Sequence, residues 1–248
     1  MPEPSRIRER TDAFGNTVIY FDHVFPHSQM MVSSESQLDN RQIPLNESIF
    51  SNIRYGELNG YMKAIRQDTL NARQFLFPSP HIPHTSAVKS IVNDFFQPDS
   101  QLIDAIRSLN TYIFQTFSFV PGTTDIYTPL EEILRNKSGV CQDFAHLLIA
   151  CCRLAGIPAK YVSGYLETIP PPGEQKLQGV DASHAWVSVF IPEIGWLEFD
   201  PTNNQQPNQQ YIRIAYGRDF SDVTPLKGVV YSGTAHQMQV SVDVERIG

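Results

Sequence analysis

The chain has 248 residues, with 19 Lys+Arg against 26 Asp+Glu and a formal net charge of −7. Hydrophobic residues make up 41% and charged residues 18%, a balance that fits a folded globular protein large enough to bury a core without disulfides or metals. The acidic excess argues against nucleic acid or anionic membrane as partner, and no stretch reaches the roughly 18 apolar residues needed to cross a bilayer. The N-terminal MPEPSRIRERTDAFG lacks an apolar signal core. Of three cysteines, Cys151 and Cys152 are adjacent, which reads as reduced thiols rather than a disulfide framework. The expectation is a cytoplasmic protein.

In chain order, the stretch to about residue 60 reads as β. Gly15-Asn16 marks a turn, and Thr17–Phe25 is rich in Val, Ile, Tyr and Phe. The proline-rich PSPHIPH (78–84) reads as a linker. In Ser86–Phe96 the residues Val88, Ile91, Val92, Phe95 and Phe96 fall on one helical stripe. A second helix over about 101–117 carries Leu102, Ile106, Leu109 and Ile113 on one face. Thr128-Pro129-Leu130-Glu131 reads as a capping box with Pro at the first helical position, opening a short helix to about Arg135. From Cys141 to Ala155 only Gln142, Asp143, His146 and Arg153 are polar. A helix apolar nearly all round is a buried central helix, closed by Gly156 in a left-handed cap.

Ala159–Leu166 reads as a strand, followed by a proline-rich loop (169–175). His184–Ile191 and Trp196–Asp200 read as two more strands, joined around Pro192–Gly195. NNQQPNQQ (203–210) reads as a low-complexity surface loop. From Gln237, alternating Met238, Val240, Val242 and Val244 predict a half-buried strand. The fold class is α+β, with an antiparallel sheet packed on a central helix.

Cys141 opens the buried helix. Unpaired N–H groups and partial positive charge at a helix N-terminus favour a thiolate and can hold an oxyanion. Gly139 leaves room for a substrate backbone. A nucleophilic Cys needs a base, and the base an orienting group. In a hairpin turning near residue 193, His184 lies opposite a position within about two residues of Asp200. This geometry predicts a Cys141–His184–Asp200 cluster. Each residue alone has a plainer reading: a small core Cys, a structural His, an Asp forming a turn. His146 reads as a hydrogen-bonded core residue. Zinc on Cys141, His146, His184 and Asp200 is a rival, but Cys141 and His146 are five apart and leave one helix face for another. A redox pair of Cys141 with Cys151 or Cys152 is disfavoured by the helix rise between them. Trp186 shares the strand face of His184 and either walls a cleft or packs the core.

GVCQDFAHLLIACCRLAGIPAKYVSGYL (139–166) and DASHAWVSVFIPEIGWLEFDPTNN (181–204) together resemble the core of the bacterial transglutaminase-like superfamily. RTDAFGNTVIYFD (10–22) resembles the end of that family's N-terminal β domain, and GRDFSDVTPLKGVVY (217–231) its C-terminal block. The resemblance implies a papain-like fold, with residues 1–60 as a truncated N-terminal β domain and 61–248 as the catalytic domain. It implies Cys141 as nucleophile, His184 as base and acid, and Asp200 as orienter. The expected activity is a thiol hydrolase that cleaves a peptide or carboxamide bond through a thioester. Transglutaminase-type transfer to an amine and a non-catalytic peptide-binding module are the alternatives. No cofactor or metal is expected. A peptide or protein is the expected partner, and a shortened β region would expose an edge suited to contact with a second copy.

Overall fold

The computed structural model describes residues 3–40, 53–169, 179, 181–231 and 237–247. The chain divides into two compact units, Met1–Gln42 and Ile43–Gly248.

In the first unit, β1 (Arg6–Thr11) pairs antiparallel with β2 (Thr17–Asp22), from Arg6↔Asp22 to Thr11↔Thr17. Asp12 builds the turn. Its Oδ1 accepts the N–H groups of Phe14 and Asn16 at 2.8 and 2.9 Å, and Gly15 takes a positive φ of 91°. That is the turn expected at Gly15-Asn16, and Asn and Asp side chains favour it because they bond the nearby backbone.

Among the described residues up to 60, the β reading holds only for this hairpin. A 3-10 turn (Tyr55–Glu57) leads into α1 (Leu58–Lys63), followed by α2 (Gln67–Arg73). Leu58 and Met62, four apart, are the buried face of α1, a helical spacing too short to register as a period in the sequence. PSPHIPH is not a linker either. Ser79 and Ile82 exchange backbone hydrogen bonds at 3.2 and 2.9 Å, and Ile82 is fully buried. Arg153 explains this. Buried at 2% exposure, it donates to the carbonyls of Phe77 (3.1 Å), Ala159 (2.9 Å) and Arg218 (2.5 Å) and to Ser79 Oγ (3.2 Å). Asp219 completes the anchor by accepting the His81 N–H at 2.9 Å.

Helices α3 (Ser86–Phe95) and α4 (Leu102–Thr116) follow the predicted stripes. The expected capping box before α5 (Leu130–Asn136) does not form. Pro129 is itself the N-cap, and the Thr128 hydroxyl turns back to accept the Asp125 N–H at 2.9 Å. Between these helices, β3 (Ser118–Phe119) pairs in parallel with β4 (Ser138–Gly139) and leads the chain into α6 (Cys141–Leu154). Helix α6 is buried without a break from Asp143 to Arg153, as its apolar circumference dictates. Gly156 follows at φ 79°, the left-handed geometry expected of it.

The sheet has the order β7-β6-β5-β8, antiparallel throughout: β5 (Ala159–Leu166), β6 (Ala182–Ile191), β7 (Gly195–Phe199) and β8 (Tyr211–Gly217). Ala159, Tyr161, Ala185, Val187 and Val189 pack with α6 in the main core. Val162, Trp186 and Tyr211 form a second cluster, because successive residues of a strand face opposite sides. The fold is α+β, as read. From position 170 the proline-rich loop lies outside the described residues. The expected final strand does not form: Val242 is buried, but Met238 and Val240 are 67% and 68% exposed.

Replacing Arg153 by Leu orphans these acceptors and removes the positive charge beside Asp219. A loss of about 3–5 kcal/mol is expected, read as a fall of about 10 °C in the thermal midpoint.

Candidate active site

Cys141 is the first residue of α6, with its thiol partly exposed and packed at the edge of the core. The preceding backbone is fixed by Phe119↔Gly139 pairing and by the Val120 N–H donated to Gly139 O at 3.0 Å. Asp143 then reaches back. Its Oδ2 accepts the Val140 N–H at 2.8 Å and the Thr124 hydroxyl at 2.7 Å. A Cβ on residue 139 would lie 2.7 Å from that oxygen. Gly139 thus makes room for the carboxylate that caps the helix. Burial raises the Asp143 pKa and Asp125 adds to the rise, against the Thr124 and Val140 hydrogen bonds. Among the described residues the Cys141 and Gln142 N–H groups have no hydrogen-bond partner, which leaves two donors directed past the thiol end of the helix.

His184, in β6, is 8% exposed. Its Nε2 lies 2.8 Å from Asp200 Oδ2. The Cys141 thiol lies near enough to the ring to help raise its pKa, and Nδ1 is the ring nitrogen that Asp200 leaves unengaged. Register explains the pairing: Val187↔Phe199 puts position 200 opposite 186, a two-residue diagonal from His184 that a side chain spans. Burial pulls the His184 pKa down, but the hydrogen bonds to Asp200 and Cys141 outweigh it and raise it to about 9.

Asp200 is fully buried and bonded on both oxygens. Oδ1 accepts the N–H groups of Thr202 (2.8 Å) and Asn203 (3.2 Å); Oδ2 accepts Tyr211 OH (2.6 Å) and Asn203 Nδ2 (2.7 Å) besides His184. Burial alone would raise its pKa, yet the bonds from His184, Tyr211 and Asn203 hold it below the usual value. The backbone of Asp200 is pinned as well, in a two-way bridge with Gln205 and by Asn110 Nδ2 on its carbonyl at 3.2 Å. The segment 203–210 is therefore part of the site rather than a bare surface loop.

Trp186 lies next to the imidazole, with ring centroids 5.9 Å apart, and is fully buried. It is core packing beside the histidine. Its Nε1 donates to Glu198 Oε2 at 2.8 Å, and Arg213 Nε holds the other oxygen at 2.7 Å. Gly164 pairs with His184, and a Cβ there would lie 2.1 Å from Ile212 O and 2.5 Å from the Trp186 ring. His146 is the core residue expected. Its Nε2 accepts the Phe220 N–H at 3.2 Å, its ring stacks on His81, and burial lowers its pKa to about 3. Those contacts engage His146 with Phe220 and His81, apart from the His184–Asp200 pair. No metal-like cluster of His, Cys, Asp and Glu occurs among the described residues. Burial raises the pKa of Cys152 to about 12 and that of Cys151 likewise upward.

Sequence reasoning named Cys141, His184 and Asp200; the structure bonds His184 to Asp200 at 2.8 Å and puts Cys141 near enough to the ring to affect its pKa. It missed Tyr211, Asn203 and Gln205. Only the closeness of Asn203 to Asp200 in FDPTNN hinted at them.

A papain-like α+β core with a thiol at a buried helix start, joined through histidine to a buried aspartate, is the architecture of the cysteine-based enzymes of that fold. Residues 89–201 match the profile of the transglutaminase-like superfamily. An uncharacterized protein of Mycobacterium tuberculosis is 37% identical over 251 residues, spanning 98% of this chain and 78% of that protein. A protein-glutamine gamma-glutamyltransferase of Pseudomonas aeruginosa is 26% identical, over 71% of this chain and 26% of its own. The crystal structure of a candidate cysteine protease from Cytophaga hutchinsonii superposes with a TM-score of 0.52 at 29% identity, over 62% of this chain and 49% of that one. The chain thus spans about half the length of that structure. The chain belongs to the transglutaminase-like superfamily. Among the described residues, no helix is long and apolar enough to cross a membrane.

Two outcomes are expected. Because the folded pKa of His184 is raised from 6.5 to about 9, its contribution to stability is complete below pH 6.5 and lost as pH rises through about 9. The urea midpoint should fall across that window, by on the order of 3 kcal/mol at most, and Asp200→Asn should flatten the fall. Gly164→Ala should cost at least about 3 kcal/mol, measured by urea denaturation, since the clash is with backbone and a packed indole.

Proposed function

We propose that the chain is a thiol hydrolase acting on a peptide or carboxamide bond through a Cys141–His184–Asp200 triad. The observation that carries this reading is the position of His184, bonded to buried Asp200 at 2.8 Å and lying beside the thiol of Cys141, with its pKa raised to about 9. Such a ring remains an imidazolium at neutral pH and pairs with a thiolate. The thiolate adds to the carbonyl carbon. The free N–H groups of Cys141 and Gln142 receive the oxyanion. The C–N bond then breaks, the Nδ1 proton passes to the leaving amine, and a thioester remains. Neutral His184 takes a proton from water, which attacks the thioester. The acid departs and the thiolate is restored. Asp200 stays ionised and keeps the ring oriented. Three free thiols suit a reducing compartment, and we place the enzyme in the cytoplasm.

The likeness to a protein-glutamine gamma-glutamyltransferase supports a second reading, in which a primary amine rather than water resolves the thioester. Both share every step up to the thioester.

The rate of alkylation by iodoacetamide against pH, with sites assigned by mass spectrometry, tests the ion pair. Cys141 should already react rapidly near pH 6, while Cys151 and Cys152 stay protected. His184→Ala should abolish that low-pH rate. Equal, slow reaction of all three thiols would overturn the reading. With a carboxamide donor, Cys141→Ala should lower turnover at least about 10³-fold. The product should be the free acid, with no incorporation of added primary amine. Amide formation in its place would establish the transfer reading.

A further inference from the structure

The residues near the C-terminus, 238–247, lie against a site of their own. Val242 O accepts the Asp181 N–H at 3.3 Å, and the Val244 N–H donates to Asp181 Oδ2 at 2.6 Å. Asp243 Oδ1 accepts the Gly179 N–H at 2.5 Å. Arg246 makes a two-pronged contact with Glu167: Nη2 to Oε2 at 2.7 Å, and Nε to Oε1 at 2.9 Å. A Cβ on Gly179 would fall 2.5 Å from Ser241 Oγ, and Gly179 has a φ of 75°, so the close approach requires glycine there.

The two sides of this contact differ. On the receiving side, Asp181 is 6% exposed and the Glu167 side chain 10%. Both are held without the tail: Asp181 Oδ1 accepts the Thr168 N–H at 2.5 Å, and the Glu167 N–H donates to Gln210 O at 2.9 Å. On the tail side, the Arg246 side chain is 60% exposed, and Val242 is the one buried residue from 238 to 247. With the tail in place, an acidic site thus receives an extended segment through its backbone and one guanidinium. This is the manner in which proteins bind peptides: main-chain bonds supply affinity and a single pocket supplies selectivity.

The site adjoins the triad. Asp181 immediately precedes β6, whose third residue is His184, a separation of roughly 10 Å at strand rise. Gln210, bonded to Glu167, precedes Tyr211, which bonds Asp200. Resting on the hydrolase reading above, we propose that Glu167, Gly179 and Asp181 form a subsite for an extended peptide substrate bearing an arginine. The C-terminal tail fills that subsite in cis and competes with substrate.

The test uses the full chain with Cys141→Ala, so that no turnover intervenes, and a fluorescein-labelled peptide of the sequence 238–247. Fluorescence anisotropy should show Arg246→Ala in the protein tightening peptide binding at least about tenfold, as the exposed tail loses its hold. Adding Glu167→Gln should remove the gain, and a peptide with Ala in place of its Arg should bind at least about tenfold more weakly. Circular dichroism of each variant checks the fold. Equal binding by the chains with and without Arg246, or by the peptides with and without Arg, overturns the subsite and leaves the tail a structural clasp. Neither result depends on catalysis. Failure of the hydrolase reading appears instead in the alkylation and turnover measurements.

Discussion

The burial of one carboxylate, that of Asp200, organises the catalytic end of the molecule. A charge removed from water costs several kcal/mol unless it is fully bonded. Here, five donors converge on its two oxygens: two backbone N–H groups, an amide, a phenol and an imidazole. Those donors come from β6, from the turn after β7 and from the first residue of β8, so satisfying one charge draws three pieces of chain together. The same carboxylate fixes which imidazole nitrogen faces the thiol. Asn110 of α4 on the Asp200 carbonyl extends the tie into the helical layer.

The start of α6 is divided with similar economy. A helix leaves its first N–H groups without partners. Asp143 satisfies that of Val140, and Gly139 admits the carboxylate that does so. The next two N–H groups, of Cys141 and Gln142, have no partner among the described residues. On the strand face carrying Trp186, burial of a different kind supports the histidine. Trp186 and Tyr211 flank its ring, while Glu198 and Arg213 satisfy the indole N–H and each other. Lys160 sits farther along that sheet, its ammonium 4.2 Å from the Trp196 ring centre and 4.1 Å from that of Tyr216. Burial, opposed by the charge of Glu198, lowers its pKa to about 8.

Membership of the transglutaminase-like superfamily does not by itself name a reaction's acceptor. In the proposed reaction the choice of water or an amine depends on access to Cys141, and the tail's contacts with Glu167 and Asp181 are made at the ends of the strands that carry His184 and its neighbours. An extended segment read through its backbone at one point and its guanidinium at another is a narrower requirement than any motif of the triad imposes.

Local pattern in the chain was enough for the helical stripes of α3 and α4, the apolar circumference of α6, the glycine stop at Gly156 and the strands β5 to β7. Each of these is set by a period or a backbone preference acting over a few residues. Cys141, His184 and Asp200 were legible too, because a helix start and a hairpin register fix their places locally. What pattern alone misread depends on partners far along the chain. PSPHIPH has the composition of a linker, yet Arg153, more than seventy residues away, turns it into packed structure. NNQQPNQQ has the composition of a surface loop, but Asp200 needs its amides. Gly139 is small for the sake of Asp143, and the alternating tail is held by scattered contacts to Glu167, Gly179 and Asp181 rather than by a ladder. A buried charge takes its donors from wherever the fold delivers them, and no local spacing records which those will be.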